Sequence, residues 1–381
     1  MQPDVLTAVP ERDGDRFTRE REGDAVVLTV PGEAWASRAT VRTSSPTPFN
    51  PLPPAYDAPP LSLREHRDVT CLPRRLMLVD GAVLPGSYRF HHRPKLRHPL
   101  LTRVSDYVVE RPAVEGPVRE LPGAWFQLGS PVAGQFGHVL TEQVSHVWGW
   151  EAARARHPGI RALVHAPEDG RDAPWVLDVL EAAGVDRADV ELVTGAVRVE
   201  TLLDTTATYE IGKLVHPLLR ETWDRIGAGL AGRSALTDGP RRIFHTRRSG
   251  RRRCHQQTEV EARFAAAGFE ISHPEDLPLP DQVARVRGAD VLAGFAGSGM
   301  FHMALAGGPR HVVAVTSDAY PAHNEYQMAS LLGHRLDLVV CRADVRRDET
   351  NAKAGFYSDF AFDSDGPEGA FLDRVLSELG G

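Results

Sequence analysis

Two periodicities alternate along most of this chain, and that alternation restricts the fold more than any single residue does. Ala162–Ala166, Val190–Val193 and Val197–Leu203 are short apolar runs that read as strands. Phe136–Arg156 and Ala173–Ala183 place apolar residues at helical spacing, and Gly184 stops the second. His216–Leu230 reads as a helix, and the polar, glycine-containing stretch 227–240 as a hinge. The rhythm then restarts, with strands expected at 242–246, 269–271, 290–296, 311–316 and 336–341. Helices are expected at 258–267, 279–288, 299–305, 324–332 and 367–379. Strand–helix–strand order of this kind predicts parallel sheets covered by helices. The 381 residues suffice for two domains of common size, here two α/β units meeting near 225–240.

Upstream of Gly134 the pattern is less regular. Ala25–Val30 reads as a strand, and seven prolines between 41 and 60 forbid helix and predict extended loop. Apolar runs at 75–79, 88–90, 107–109 and 124–128 read as further strands. The expected organisation is an N-terminal extension over 1–65, a first domain over 66–230, a second over 231–345, and a tail with a helix over 346–381.

Composition excludes several classes. A net charge of −7 argues against a whole-protein nucleic-acid binder, though not against a local basic site. Cys71, Cys254 and Cys341 form no CxxC pair, which excludes a disulfide scaffold and a cysteine zinc site. The other histidines, at 91, 92, 98, 146, 157 and 165, show no metal-ligand spacing, so no metal and no cofactor is assigned. The N-terminus is charged and lacks the apolar run of a signal peptide, so a cytoplasmic protein is expected. Val291–Pro309 has no acidic or basic residue, but its Gly, Ala, Ser and His content predicts strand, turn and buried helix rather than a membrane span. Lysine occurs only at 95, 213 and 353 among 44 basic residues, a bias expected of a GC-rich bacterial genome.

Four segments carry chemistry. RRIFHTRRSGRRR, residues 241–253, holds seven arginines. Arg247 and Arg248 follow a strand of a βαβ unit, where open sheets bind ligands, and guanidinium forks suit phosphate oxygens. Arg251–Arg253 read as a solvated basic loop. In ADVLAGFAGSGMFHMALA, residues 289–306, Gly297, Ser298 and Gly299 stand at a strand-to-helix turn. Such a turn either presents amides to an anion or only packs helix against sheet. His138 and Glu142, four apart at a helix start, read either as a general base with its orienting carboxylate or as a helix-capping pair. Asn324 and Glu325 open another helix, where a carboxylate either meets ribose hydroxyls or complements the helix dipole.

Together these segments resemble glycosyltransferase family 61, in particular its bacterial members, over roughly Gly134–Cys341. The motifs are FGHVLTEQVSHVW, RRIFHTRR, EVEARFAAAGFEI, LPLPDQVARVRGADVLAGFAGSGMFHMALA and AYPAHNEYQMASLLGH, in that order. Many relatives carry Asn-Glu where this chain has Gln256-Gln257, and a turn histidine where it has Ala296. The resemblance implies a GT-B-like α/β architecture of two Rossmann-like domains facing across a cleft, acceptor on the first and nucleotide-sugar donor on the second. It implies an inverting, metal-independent transfer to a carbohydrate or small-molecule acceptor. Arg247, Arg248 and Gly297–Gly299 would hold donor phosphates, Asn324 and Glu325 the ribose or sugar. His138 would be the base and Glu142 its orienter. Two alternatives stand beside it: an α/β hydrolase using Ser298 with His323 or His334 and Asp318, and an anion or nucleic-acid binding module built on Arg241–Arg253.

Overall fold

The computed structural model describes residues 5–8, 24–45, 52–90, 97–105, 108–114, 116–168, 173–236, 238–248, 250–348 and 350–380. Pro46, Pro48 and Pro51 of the proline-rich segment, His91, His92, Lys95, Tyr107 and most of the charged N-terminus lie outside the described residues. The protein is mixed α/β with several sheets. It divides into two compact units, Met1–Ala34 with Asp57–Thr222, and Trp35–Tyr56 with Trp223–Gly381.

The first unit is built on a mixed sheet. Val190–Val193, Arg161–His165, Arg119–Gln127 and Val197–Thr205 lie side by side and parallel. Leu61–Leu72 then joins Val197–Thr205 antiparallel, and Leu76–Val79 and Ala82–Val83 continue as antiparallel neighbours. The sheet is therefore parallel only in part. Leu61–Leu72 was not expected as a strand, yet its Leu61, Leu63, Val69 and Cys71 point into the core at the period of two that antiparallel sheets show. The expected strand at 88–90 does not form. Pro85–Ser87 makes a single helical turn, and Tyr88 leaves it extended and buried against Leu72, Leu76 and Val109 without joining a ladder.

Phe136–Arg156 is one continuous helical run, but its geometry changes along the way. It is α over Phe136–His138, π over Val139–Gln143, 3-10 over Val144–Gly149 and α over Trp150–Arg156. Val139, Leu140, Val144, Val147 and Trp150 are buried beneath it. Gly149 allows the close approach to the sheet, since a Cβ there would sit 2.5 Å from Thr205 Cγ2.

The second unit carries the regular parallel sheet that the sequence rhythm predicts. Its strand order is Glu270–Ser272, Arg242–His245, Val291–Phe295, His311–Ser317 and Arg335–Ala343, all parallel. Chain order thus reverses at Arg242–His245, which has the second strand on one side and the third on the other. Phe244, Phe295, Val313, Val315 and Val339 pack on one face against Val260 and Phe264 of Gln257–Ala266 and Phe371, Leu372 and Val375 of Pro367–Gly380. Ile243, Leu292, Val312, Ala314 and Leu338, which alternate with them, are also buried. The 291–309 stretch is a buried strand followed by the 3-10 helix Ser298–Leu305. Among the described residues no helix is long and apolar enough to cross a membrane.

One further strand comes from far away in sequence. Thr40–Thr43 adds to the sheet parallel to Arg335–Ala343, with Thr40 opposite Arg335. Arg42 fixes it through a two-pronged pair with Asp337, its Nε donating at 2.7 Å and its Nη2 at 2.8 Å. The Asp337 carboxylate has no exposed surface and also accepts from His311 Nε2 at 2.6 Å. Burial alone would raise that carboxyl, but the bonds from Arg42 and His311 outweigh it and hold it at about 2. Replacing Arg42 leaves a buried charge with one partner fewer, and Arg42 itself is partly exposed. Arg42→Met is therefore expected to lower unfolding stability by about 2 kcal/mol in urea titration. An unchanged midpoint would mean that the strand is held by its ladder alone.

Candidate functional site

In an open parallel sheet the loops leaving two neighbouring strands on opposite sides of an order reversal splay apart and leave a crevice at the strand ends. In the second unit those strands are Arg242–His245 and Val291–Phe295. Their loops carry Arg247 and Ala296–Ser298. Arg247 Nη2 donates to the Ala296 carbonyl at 2.9 Å, joining the two loops. Its Nη1 donates to the carbonyls of Arg251 and Arg252 at 3.1 and 3.3 Å, and its guanidinium lies 5.4 Å from the Phe295 ring centre. Burial, with Arg252 close by, lowers Arg247 to about 10, so it remains a cation at neutral pH. Gln257 Nε2 holds the Arg247 carbonyl at 2.7 Å, and Gln256 Oε1 accepts the Phe362 N–H at 2.8 Å. Gln257 therefore supports the loop, and Gln256 ties the start of the next helix to Phe362.

Gly297 has φ 140° and ψ −167°, a conformation open to glycine, and Arg252 Nη2 would lie 3.0 Å from any Cβ there. The first intrahelical bond of Ser298–Leu305 is the one Met300 donates to the Gly297 carbonyl at 2.8 Å. The Ser298 and Gly299 amides precede it and stand at the helix mouth, Ser298 exposed and Gly299 half-buried. Arg252 completes the group. Its guanidinium stacks 3.9 Å from the Tyr320 ring centre and 5.5 Å from that of Phe356. Its Nε and Nη1 are buried without a hydrogen-bond partner, a costly state for a charged donor. Two cations, two helix-start amides and two guanidinium nitrogens without partners suit a multiply charged anion.

Glu325 lies beneath this turn with no exposed surface. Its Oε1 accepts the Gly297 N–H at 2.6 Å, and its Oε2 has no partner. Burial pushes its carboxyl up to about 7, against the pull of Arg252, the Gly297 amide and Arg247. Asn324 is buried beside it and, with Arg252, hydrogen-bonds the Tyr320 side chain. The turn thus brings together Arg247, Gly297, Ser298, Gly299, Asn324 and Glu325. Arg248 is not among them. It is exposed, and both its terminal nitrogens pair with Asp276. Arg241 pairs with Asp290 and Arg253 with Asp359, so three arginines of the run are already neutralised by aspartates.

The serine-hydrolase arrangement is not assembled. Among the described residues no hydrogen bond joins Ser298 to an imidazole. His334 Nδ1 accepts the Arg310 N–H, and its Nε2 lies against the Met303 carbonyl. Asp318 accepts the Ala343 N–H.

The first unit carries the other sequence candidate. His138 ends the α turn and Glu142 sits in the π turn that follows, with His138 Nδ1 3.0 Å from Glu142 Oε1. Arg89 Nε donates to the same carboxylate at 2.7 Å, and its Nη2 lies 3.1 Å from His138 Nδ1. Burial would raise the Glu142 carboxyl, but the His138 bond and the Arg89 charge hold it below its ordinary value. With Nδ1 donating to Glu142, the lone pair is on Nε2, and the ring is accessible at 29% of its side-chain surface. π turns of this kind recur at functional sites. Behind them, buried Arg75 pairs with Asp204, donates to the carbonyls of Gly86, Gln127 and Gly129, and reaches His146 Nδ1 at 3.1 Å.

Residues 136–313 match the family model described as Glycosyltransferase 61. This segment is a glycosyltransferase 61 domain. No curated protein matches the chain. Solved structures that align with it include the bacterial iron-containing dodecameric glycosyltransferase TibC from enterotoxigenic E. coli H10407. That alignment has 12% identity over 84% of this chain and 93% of that chain, with a TM-score of 0.33, too low to carry an argument. The glycosyltransferase 61 match begins at the His138 helix and takes in Arg247, Arg252 and the Gly297 turn, and Tyr320 and Glu325 lie beyond its end.

Arg252 and Tyr320 were not singled out by sequence. Arg252 stood inside a run read as solvated, and only its φ of 63° and its aromatic partners turn it inward. The raised Glu325 carboxyl gives a pH test. An unfolded glutamate titrates near its ordinary 4.5, so between about 4.5 and about 7 the unfolded chain has lost a proton that the folded chain keeps. This contribution to stability is full below about 4.5 and lost as pH rises through about 7. Glu325→Gln removes it. Thermal unfolding should show the Gln variant gaining on the wild type between pH 5 and pH 8, by on the order of 2 kcal/mol. A gap that does not change with pH would mean that Glu325 is ionised throughout.

Proposed function

We propose that this glycosyltransferase 61 chain moves a sugar from a nucleotide-sugar donor to an acceptor hydroxyl in one direct displacement with inversion. The proposed division of labour is of the GT-B type, with the donor on the second unit and a carbohydrate or small-molecule acceptor on the first. The observation that carries the reading is the crevice at the order reversal, where Arg247, Arg252 and the Ser298 and Gly299 amides converge. A nucleoside diphosphate is the leaving group of such a transfer, and it gains negative charge as the glycosidic bond breaks. Fixed cations and amides aimed at that charge stabilise the transition state more than the ground state. In this reading Arg247 and Arg252 supply that charge without a divalent metal. Glu325 acts beneath the turn by holding the Gly297 peptide.

His138 is the proposed base. Its Nε2 would take the acceptor proton, and Glu142, held by Arg89, would fix the tautomer and offset the imidazolium that forms. A cytoplasmic, bacterial setting fits a nucleotide-sugar donor.

Calorimetry with a panel of nucleoside diphosphates tests the donor site. One or more should bind, and Arg252→Ala and Arg247→Ala should each weaken binding by about 2 kcal/mol, roughly 30-fold. Folded variants that bind as tightly as the wild type would sink the donor assignment. His138→Ala should cut turnover by about 10²–10⁴-fold with donor affinity nearly constant. A stable, fully active His138→Ala enzyme would exclude the catalytic role.

A further inference from the structure

Two buried histidines stand behind the anion turn; both lie within segments that carry chemistry in the sequence, and neither was given a role there. His245 ends the strand Arg242–His245, and His302 lies in the 3-10 helix Ser298–Leu305. Their rings meet edge to face at 5.2 Å. Both aim Nδ1 at one atom, the Gly299 carbonyl oxygen, at 3.0 Å from His245 and 2.8 Å from His302. Packing around them is tight. At Gly294, opposite His245 in the sheet, a Cβ would lie 2.5 Å from the His245 carbonyl oxygen and 2.8 Å from Met300 Sδ.

We propose that His245 and His302 are positioning residues that clamp the Gly299 carbonyl and so aim the Ser298 and Gly299 amides at the donor diphosphate. The proposal rests on the nucleotide-sugar reading of the site. The carbonyl of a peptide at a helix start points along the helix, and the neighbouring N–H groups point out of its mouth. The Gly299 carbonyl shares its peptide with the Met300 N–H that closes the first helical turn onto Gly297, so fixing it steadies the turn from which the Ser298 and Gly299 amides project. One clamp comes from the strand that leads to Arg247 and the other from the helix that carries the amides, so the two sides of the crevice are tied together.

Having two imidazoles has a physical reason. Burial lowers His245 to about 3 and His302 to about 4, so both rings are neutral at pH 7. The second nitrogen of His302, Nε2, faces Gln282 Oε1 at 2.8 Å, and Gln282 Nε2 is already donating to the Leu277 carbonyl at 2.8 Å. A neutral His302 has one N–H for two oxygen acceptors. When it donates to Gln282, His245 is the one of the two imidazoles that still holds the Gly299 carbonyl. His245 is therefore the stronger clamp, and His302 shares its proton between turn and helix.

The test is binding of the nucleoside diphosphate that the wild-type chain prefers, by calorimetry on the full chain, with acceptor KM measured alongside. His302→Phe should weaken binding little and His245→Phe about threefold. The double Phe variant should weaken it at least tenfold, more than the product of the single effects, with acceptor KM unchanged. His245→Asn, which keeps an N–H donor near the Nδ1 position, should bind within twofold of wild type. A folded double Phe variant that binds like the wild type overturns the positioning role. If the double variant does not fold, His245→Phe against His245→Asn decides: weaker binding by Phe supports the clamp, and equal binding overturns it. A wild-type chain that binds no nucleoside diphosphate overturns instead the donor-site reading on which the clamp rests.

Discussion

The bond from Arg247 to the Ala296 carbonyl closes the end of the second unit's sheet, and the rest of the crevice is built around it. Parallel strands deliver their chain ends to one edge, and at an order reversal nothing in the ladder itself joins the two departing loops. A guanidinium can make that join because its five donors reach several carbonyls at once. Here it spans Ala296 on one side and Arg251 and Arg252 on the other. That anchoring brings Arg252 against Tyr320 and leaves two of its nitrogens unspent. From the opposite side Glu325 takes the Gly297 amide, so the turn is gripped both by a cation and by a carboxyl.

Much of this was legible in the sequence, and the reasons differ by element. The second unit's strands and helices were readable because each buries a full face in a single sheet, which imposes a clean period. Arg247 was readable because it follows a strand. Its neighbour Arg248 has the same local sequence signal, yet one step along the backbone turns it outward to Asp276. Arg252 was unreadable for the converse reason. Its burial depends on Tyr320 and Phe356, dozens of residues later. Leu61–Leu72 was missed because charged residues fill its middle. Those polar groups find partners mostly from elsewhere in the fold: Glu65 meets Arg156 and His157 as well as Arg67 on its own strand, and His66 meets Asp24. No local pattern announces a partner ninety residues away. The geometry changes within 136–156 were likewise invisible, because α, π and 3-10 turns place apolar residues at nearly the same spacing over so short a run.

The first unit shows a second use of buried charge. Arg75 is almost wholly buried, and a buried ion pair by itself is weak grounds for stability. What Arg75 does is connect. It bonds the turn at Gly86, the strand end at Gln127 and Gly129, Asp204 on the neighbouring strand and His146 on the helical run. The residues just past that turn include Arg89, which reaches His138 and Glu142. The half-buried His138 imidazole is therefore supported by polar contacts that trace back to the sheet.

The strand Thr40–Thr43 has a consequence for how this chain is made. It pairs with Arg335–Ala343, so one edge of the second unit is synthesised long before its partner. Between them the ribosome delivers all of residues 57–222, which belong to the other unit. In topological terms the larger part of the first unit, residues 57–222, is inserted between the two segments of the second. During translation the early strand waits for its partner while residues 57–222 are made and have time to fold. Closing so long a loop costs only slowly growing entropy, but it delays the final pairing. A nascent chain released before residue 343 would carry an orphan strand edge, the kind of surface on which chaperones act and aggregation begins.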